Sequence, residues 1–260
     1  MKLTLYQVDA FTDAVFKGNP AAVCPLDEWL DDDLLQAIAG ENNLSETAYF
    51  VAKDGAYDLR WFTPAAEVDL CGHATLASAH VVFEHIDPNA DSVDFDTRSG
   101  RLSVARGPGG LLAMDFPAQP GGEIAVGEDM IAALGAEPSF LFGGEDFMAV
   151  FERESQIAAI EPDFVALKKF ERRGVIITAP GEEVDFVSRF FAPKYDIPED
   201  PVTGSAHCML TPYWAERLGK TEMRARQISA RGGDLTCRLN GERVGISGRA
   251  SEYMKGEITL

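Results

Sequence analysis

One feature constrains this chain above all others: its second half repeats its first. Arg60-Trp61-Phe62-Thr63-Pro64 is echoed 129 positions later by Arg189-Phe190-Phe191-Ala192-Pro193. Gly72-His73-Ala74 is echoed 132 positions later by Gly204-Ser205-Ala206, and Ser99-Gly100-Arg101-Leu102-Ser103 matches Gly232-Gly233-Asp234-Leu235-Thr236 after 133. Three matches in one order, at an offset near half of the 260 residues, imply two similar domains. Pro117, Pro120, Gly121 and Gly122 interrupt regular structure between them, which places the break near residues 117–127. The expected halves are 1–119 and 120–260, with a terminal strand free to cross over.

Within the halves, Leu3–Val8, Tyr49–Val51, Tyr57–Phe62, Val93–Phe95, Leu102–Ala105 and Leu111–Phe116 read as short strands. Ser99-Gly100, Gly232-Gly233 and Asn240-Gly241 are candidate hairpin turns. Each half carries one strong helical run, His73 to about Glu84 and Ser205 to about Leu218, with Gly219 closing the second. Pro212 lies inside that second run, where it removes the bond its amide would give Cys208, so a kink is expected. Many strands with a single apolar helix per half suggest an α+β fold of two sheets or barrels, each wrapped around its own helix.

Composition narrows the function. Lys and Arg number 23 against 42 Asp and Glu, a net charge of −19 that repels nucleic acid and anionic lipid. The apolar fraction of 46% excludes disorder, and no apolar run is long enough to span a membrane. Asp9 and Asp13 interrupt the first residues where a signal peptide needs an apolar stretch, so a cytoplasmic protein is expected. Cysteines 24, 71, 208 and 237 read as reduced thiols. If the substrate is an anion, a local positive field must overcome the global charge.

The repeated segment offers such a field. In each half a strand ends at a proline, passes through an acidic loop and starts a helix at a glycine, Gly72 or Gly204. A helix start leaves amide N–H groups unpaired and carries about half a positive charge. Two such starts facing one cleft would bind an anion without Lys or Arg. The plain alternative is that both glycines are tight turns and Ser205 an N-cap. His73 and Ser205 occupy equivalent turns yet differ, the asymmetry that acid–base chemistry needs. Asp200, five residues before Ser205, brings a carboxylate near the second start, unless it is only a solvated loop acid. Glu46 ends a polar run where an apolar strand begins; a carboxylate at such an edge tends to suit proton transfer, and a surface acid is the equal alternative.

Four motifs together carry a family resemblance: GNPAAV at 18–23, NLSETAYF at 43–50, DLCGHATLASAH at 69–80 and EDPVTGSAHCML at 199–210. In this order, and spanning nearly the whole chain, they resemble the PhzF-like phenazine-biosynthesis isomerases. That resemblance implies a diaminopimelate-epimerase-like fold, two similar halves with the active site in the cleft between them. It implies Glu46 as the residue that moves a proton between carbons of an unsaturated or hydroxylated carboxylic acid. It also implies His73 and Asp200 as catalytic partners, and Asn19, Gly72, Gly204 and Ser205 as substrate-binding positions. No cofactor and no metal are implied, and a homodimer is. The best-characterised member acts on a dihydro-hydroxyanthranilic acid, but an isomerase mechanism follows from the resemblance more firmly than a phenazine pathway.

Two rival readings stand beside it. Racemases of the same fold use a thiolate at each helix start; Cys71 holds the first position, but Thr203 holds the second, and Cys208 lies a turn deeper. A binding or regulatory member without catalysis is the other. Cys71, His73, His80, His207 and Cys208 are zinc-type ligands without a paired-ligand spacing. Gly107-Pro108-Gly109-Gly110 is a hairpin connection, not a phosphate loop.

Overall fold

A computed structural model describes residues 1–260. The chain divides into two compact units, Met1–Asp115 together with Ser247–Leu260, and Phe116–Ile246. The first break thus falls at 115/116 rather than 119/120. The last strand, Ala250–Thr259, belongs to the first unit because it pairs antiparallel along the whole of Lys2–Ala10.

In the first unit, Lys2–Ala10 also pairs antiparallel with Asn19–Leu26, which runs parallel to Glu46–Lys53. Glu46–Lys53 is antiparallel to Ala56–Phe62, and that strand takes Glu67–Val68 antiparallel and Ser92–Thr97 parallel on its other side. Gly100–Arg106 then follows antiparallel to Ser92–Thr97. In the second unit, Phe147–Val150 runs parallel to Val175–Pro180, which is antiparallel to Phe186–Ala192. Phe186–Ala192 takes Ile197–Asp200 antiparallel and Glu222–Gln227 parallel, and Gly233–Asn240 follows antiparallel. The order and sense of pairing are the same in both units. The repeat extends to side chains: Arg60 forks onto Glu67 at 2.7 and 2.8 Å and sits over Phe62, while Arg189 forks onto Glu199 at 2.7 and 3.0 Å and sits over Phe191.

The helix Gly72–Val81 is buried nearly all round and touches the strands Lys2–Ala10, Asn19–Leu26, Glu46–Lys53, Gly100–Arg106 and Ala250–Thr259. A helix enclosed in this way shows no polar stripe. Its buried Thr75 and Ser78 hydroxyls donate to the carbonyls one turn back, Cys71 and Ala74, so no hydroxyl is stranded. From Val82 to Ile86 it continues as a π-helical turn. The helix Gly204–Leu218 packs Trp214 flat on Phe186, 5.6 Å between ring centres, and the indole N–H donates to Thr178. Gly219 ends it in the left-handed conformation at φ +65°. At Pro212 the helix stays one continuous segment, and the Cys208 carbonyl that the proline cannot reach accepts the Gln119 N–H at 3.0 Å.

One helix per half proves too few. In the first unit Asp32–Asn42 packs Leu35, Ile38 and Ala39 against Ala22, Cys24, Tyr49 and Phe62 on the outer face of the sheet. In the second, Glu128–Leu134, Glu154–Ala158 and Phe164–Leu167 cover the corresponding face with Met130, Leu134, Ile157 and Leu167. The sheets are apolar on both faces, so each needs a cover as well as a centre. No helix is long and apolar enough to cross a membrane.

Candidate active site

Three loop-to-element junctions of the first unit place polar groups at the start of its central helix. Gly18 sits at φ +63°, and a Cβ there would lie 2.1 Å from the Ala10 carbonyl oxygen, so only glycine fits. It feeds Asn19 into its strand with the side chain fully buried. Glu46 opens the neighbouring parallel strand, beside Ala21. Cys71 caps the helix in extended conformation, and His73 follows in its first turn.

These residues converge. The His73 ring turns Nε2 to within 3.0 Å of Glu46 Oε2, with the two side chains only 7% and 12% exposed. Neither atom has an aligned hydrogen-bond partner, although both are shielded from solvent. On the other side of the ring, Nδ1 faces Asn19 Nδ2 at 3.2 Å and Cys71 Sγ at 3.6 Å. Ser45 holds the far end of that amide, its hydroxyl 3.3 Å from Asn19 Oδ1. A hydroxyl both donates and accepts, so the amide can serve a bare Nδ1 through Nδ2 or a protonated one through Oδ1. Burial opposes a charged imidazole, but the Glu46 carboxyl beside it favours one, and His73 is held well above its ordinary range. Burial, and then the Glu46 carboxylate, push the Cys71 thiol up, which keeps it a thiol near neutrality.

The second unit builds a different set. Asp200 ends the strand Ile197–Asp200 and accepts a hydrogen bond from the Thr203 hydroxyl. Fully buried Gln227 ties this turn together: its carbonyl accepts from the Thr203 N–H at 2.9 Å, and its amide donates to the Asp200 carbonyl at 2.7 Å. Gly204 begins the helix and Ser205 follows. An arginine that the sequence reading did not include stands at this helix start. Arg173 Nη1 donates to Ser205 Oγ at 3.0 Å, while its other edge grips buried Asp146 at 3.0 and 2.5 Å. Sequence reading missed Arg173 and Asp146 because they lie outside the repeated segments; a basic pair, Arg172-Arg173, just ahead of a buried strand was the available signal. His207, one turn on, is structural: burial pulls it down to about 4, and its Nδ1 bonds the Thr203 carbonyl at 2.8 Å.

The structure therefore joins Asn19, Glu46 and His73, with Gly72 between Cys71 and His73, in the first unit. Asp200, Gly204 and Ser205 stand together in the second. Asn19 is fully buried behind the His73 ring.

Residues 8–256 match the model of a family described as phenazine biosynthesis-like protein, PhzC-PhzF. The chain belongs to this family. An uncharacterised isomerase of Pseudomonas aeruginosa is 55% identical to it, and one of Halalkalibacterium halodurans 43%, each aligned over the full length of both chains. A solved PhzF-family protein of Enterococcus faecalis is 48% identical over the whole of both chains, with a TM-score of 0.98. A hydroxyproline epimerase of Agrobacterium vitis shares the fold at a TM-score of 0.63, over all of this chain and 93% of its own, but only 11% of its residues. The epimerase-like α+β fold and the isomerase class expected from the motifs agree with these relatives.

Proposed function

We propose that this isomerase shifts a proton between carbons of a small unsaturated or hydroxylated carboxylic acid without a cofactor, with Glu46 as the acid–base group. The observation that carries the proposal is the Glu46–His73 contact: a carboxylate oxygen and a ring nitrogen 3.0 Å apart, both buried and neither in an aligned hydrogen bond. Glu46 takes the proton from one carbon, the electron pair moves through the double bond, and the same carboxyl returns the proton to another carbon. Atoms and charge balance within the substrate. His73, held in register by Asn19 and Ser45, sets its Nε2 against the Glu46 carboxyl and so fixes the orientation of the acid–base group. Asp200 as a catalytic partner, and Gly72, Gly204 and Ser205 as carboxylate binders, are carried by the family resemblance. The polarised Ser205 hydroxyl supports that role. A cytoplasmic location and a homodimer belong to the same reading.

A thiol-based racemase is the weaker alternative. The Cys71 thiol is held in its neutral form by burial, and the equivalent cap in the second unit is Thr203.

Proton exchange into a panel of unsaturated and hydroxylated carboxylic acids in heavy water, followed by NMR, tests the proposal. Deuterium should enter one carbon of one ligand, and Glu46→Gln should slow this by at least about 100-fold. Full turnover by that variant on the exchanging ligand overturns the assignment. Exchange at an amino-acid α-carbon, lost in Cys71→Ser, would establish the racemase instead.

A further inference from the structure

Beyond proton transfer, the first unit brings three zinc-type donors to one point. One donor atom each from Glu46, Cys71 and His73 lies within 4.8 Å of the other two, and all three residues are largely buried. Two of the donors, Glu46 Oε2 and His73 Nε2, face each other at 3.0 Å and have no other polar partner to give up. Zinc bonds of about 2.0–2.3 Å place tetrahedral ligand atoms roughly 3–4 Å apart; Glu46 already meets this at Nε2, and the Cys71 thiol, now 3.6 Å from Nδ1, closes the set by rotating toward the Glu46 side of the ring.

The surroundings suit ligation as well. A metal-bound imidazole needs its far nitrogen fixed by a second group. Asn19 supplies that at Nδ1: its Nδ2 stands 3.2 Å from the ring with Ser45 on Oδ1, and a half-turn of the amide, which the Ser45 hydroxyl accommodates by accepting instead of donating, would hold a proton on Nδ1 and leave Nε2 for the ion. A thiolate, an imidazole and one carboxylate select zinc over magnesium or calcium, which prefer oxygen donors.

We propose that Glu46, Cys71 and His73 form a reversible binding site for a divalent zinc ion, which occupies the acid–base pair and stops proton transfer. The ion binds through Glu46 Oε2, His73 Nε2 and the Cys71 thiolate, and the thiol proton and the Nε2 proton of the imidazolium both leave to solvent. Its fourth position takes water or the carboxylate of a small acid. Zinc here is an inhibitor, not a participant in the reaction. The site itself rests on geometry alone; only the inhibition rests on the proposed function.

The test uses the untagged full chain, whose four histidines keep the background small. Equilibrium dialysis against zinc should retain one ion per chain. Cobalt(II) in its place should give a thiolate-to-cobalt charge-transfer band. Cys71→Ser should abolish the band, and both it and Glu46→Gln should weaken zinc binding by more than the roughly tenfold that loss of even an outer-shell partner costs. Glu252→Gln, which breaks the other His–Glu contact at His85, should leave binding unchanged. Melting curves of the metal-free variants separate loss of the site from loss of the fold. No retained ion, a charge-transfer band that survives Cys71→Ser, or binding removed by Glu252→Gln overturns the site. If zinc binds at Glu46, Cys71 and His73 and the exchange reaction continues undiminished, the inhibition falls. If no ligand exchanges with or without zinc, the proposed function fails and the zinc site stands.

Discussion

Arg173 donates from Nη1 to Ser205 Oγ at 3.0 Å. A hydroxyl that accepts from a guanidinium directs its own proton away from it, so Ser205 is set up as a donor at the start of the Gly204–Leu218 helix. Asp146 takes up the arginine's charge, so the contribution at this helix start is an oriented hydroxyl donor beside the unpaired amide N–H groups.

Two consequences follow for Arg173. Arg173→Met should raise KM for the carboxylate ligand identified by exchange more than it lowers kcat, because the group it polarises binds rather than reacts. The same change leaves buried Asp146 without its partner. Arg173 is partly exposed, so the stability loss should fall at the lower end for a broken buried pair, about 2–3 kcal/mol in urea unfolding. Adding Asp146→Leu should recover most of it; a double variant as unstable as the single one would show that the pair is not the cause.

Gly18 sets the position of Asn19 and so of the His73 ring. Gly18→Ala combines a left-handed backbone with a Cβ 2.1 Å from the Ala10 carbonyl oxygen. The backbone must shift, and a loss of more than about 2 kcal/mol is expected in thermal or urea unfolding. The histidine ¹⁵N resonances should report the change at His73 before unfolding does. Unaltered His73 resonances in a folded Gly18→Ala variant would show that the Gly18 turn does not control the ring.

Much of this was legible in the chain. The repeat predicted the two units because Arg60 and Arg189 each need the same glutamate and the same aromatic neighbour, and such pairs leave a mark in sequence. The central helices were readable because each is a run of mostly small and apolar residues opened by a glycine, and Gly219 closes the second. The outer helix Asp32–Asn42 was not, since Asp32, Asp33, Gly40, Glu41 and Asn42 mask a stripe of only a few apolar residues. Asn19–Leu26 escaped as a strand because Pro20 and Pro25 break the usual pattern, yet both are tolerated within the pairing. Arg173 and Asp146 were invisible for another reason. Their pairing spans 27 residues, and its meaning depends on a third residue, Ser205, 32 positions further on.

The two buried histidines give opposite pH dependences. His207 is held neutral at about 4 in the folded protein against about 6.5 when unfolded. Its contribution is therefore present above pH 6.5 and lost as pH falls toward 4, where the unfolded chain takes up the proton first. A shift of that size corresponds to about 3 kcal/mol. His207→Asn, which keeps a donor for the Thr203 carbonyl, should flatten the stability profile between pH 4 and 6.5. His73 is raised, so its contribution is full below its unfolded value and fades as pH rises through the higher folded one. His73→Asn should flatten the alkaline side and leave the acid side unchanged. Denaturant midpoints measured across pH for the wild type and both variants check this; an acid limb that His73→Asn alone removes would reverse the assignment of the two histidines.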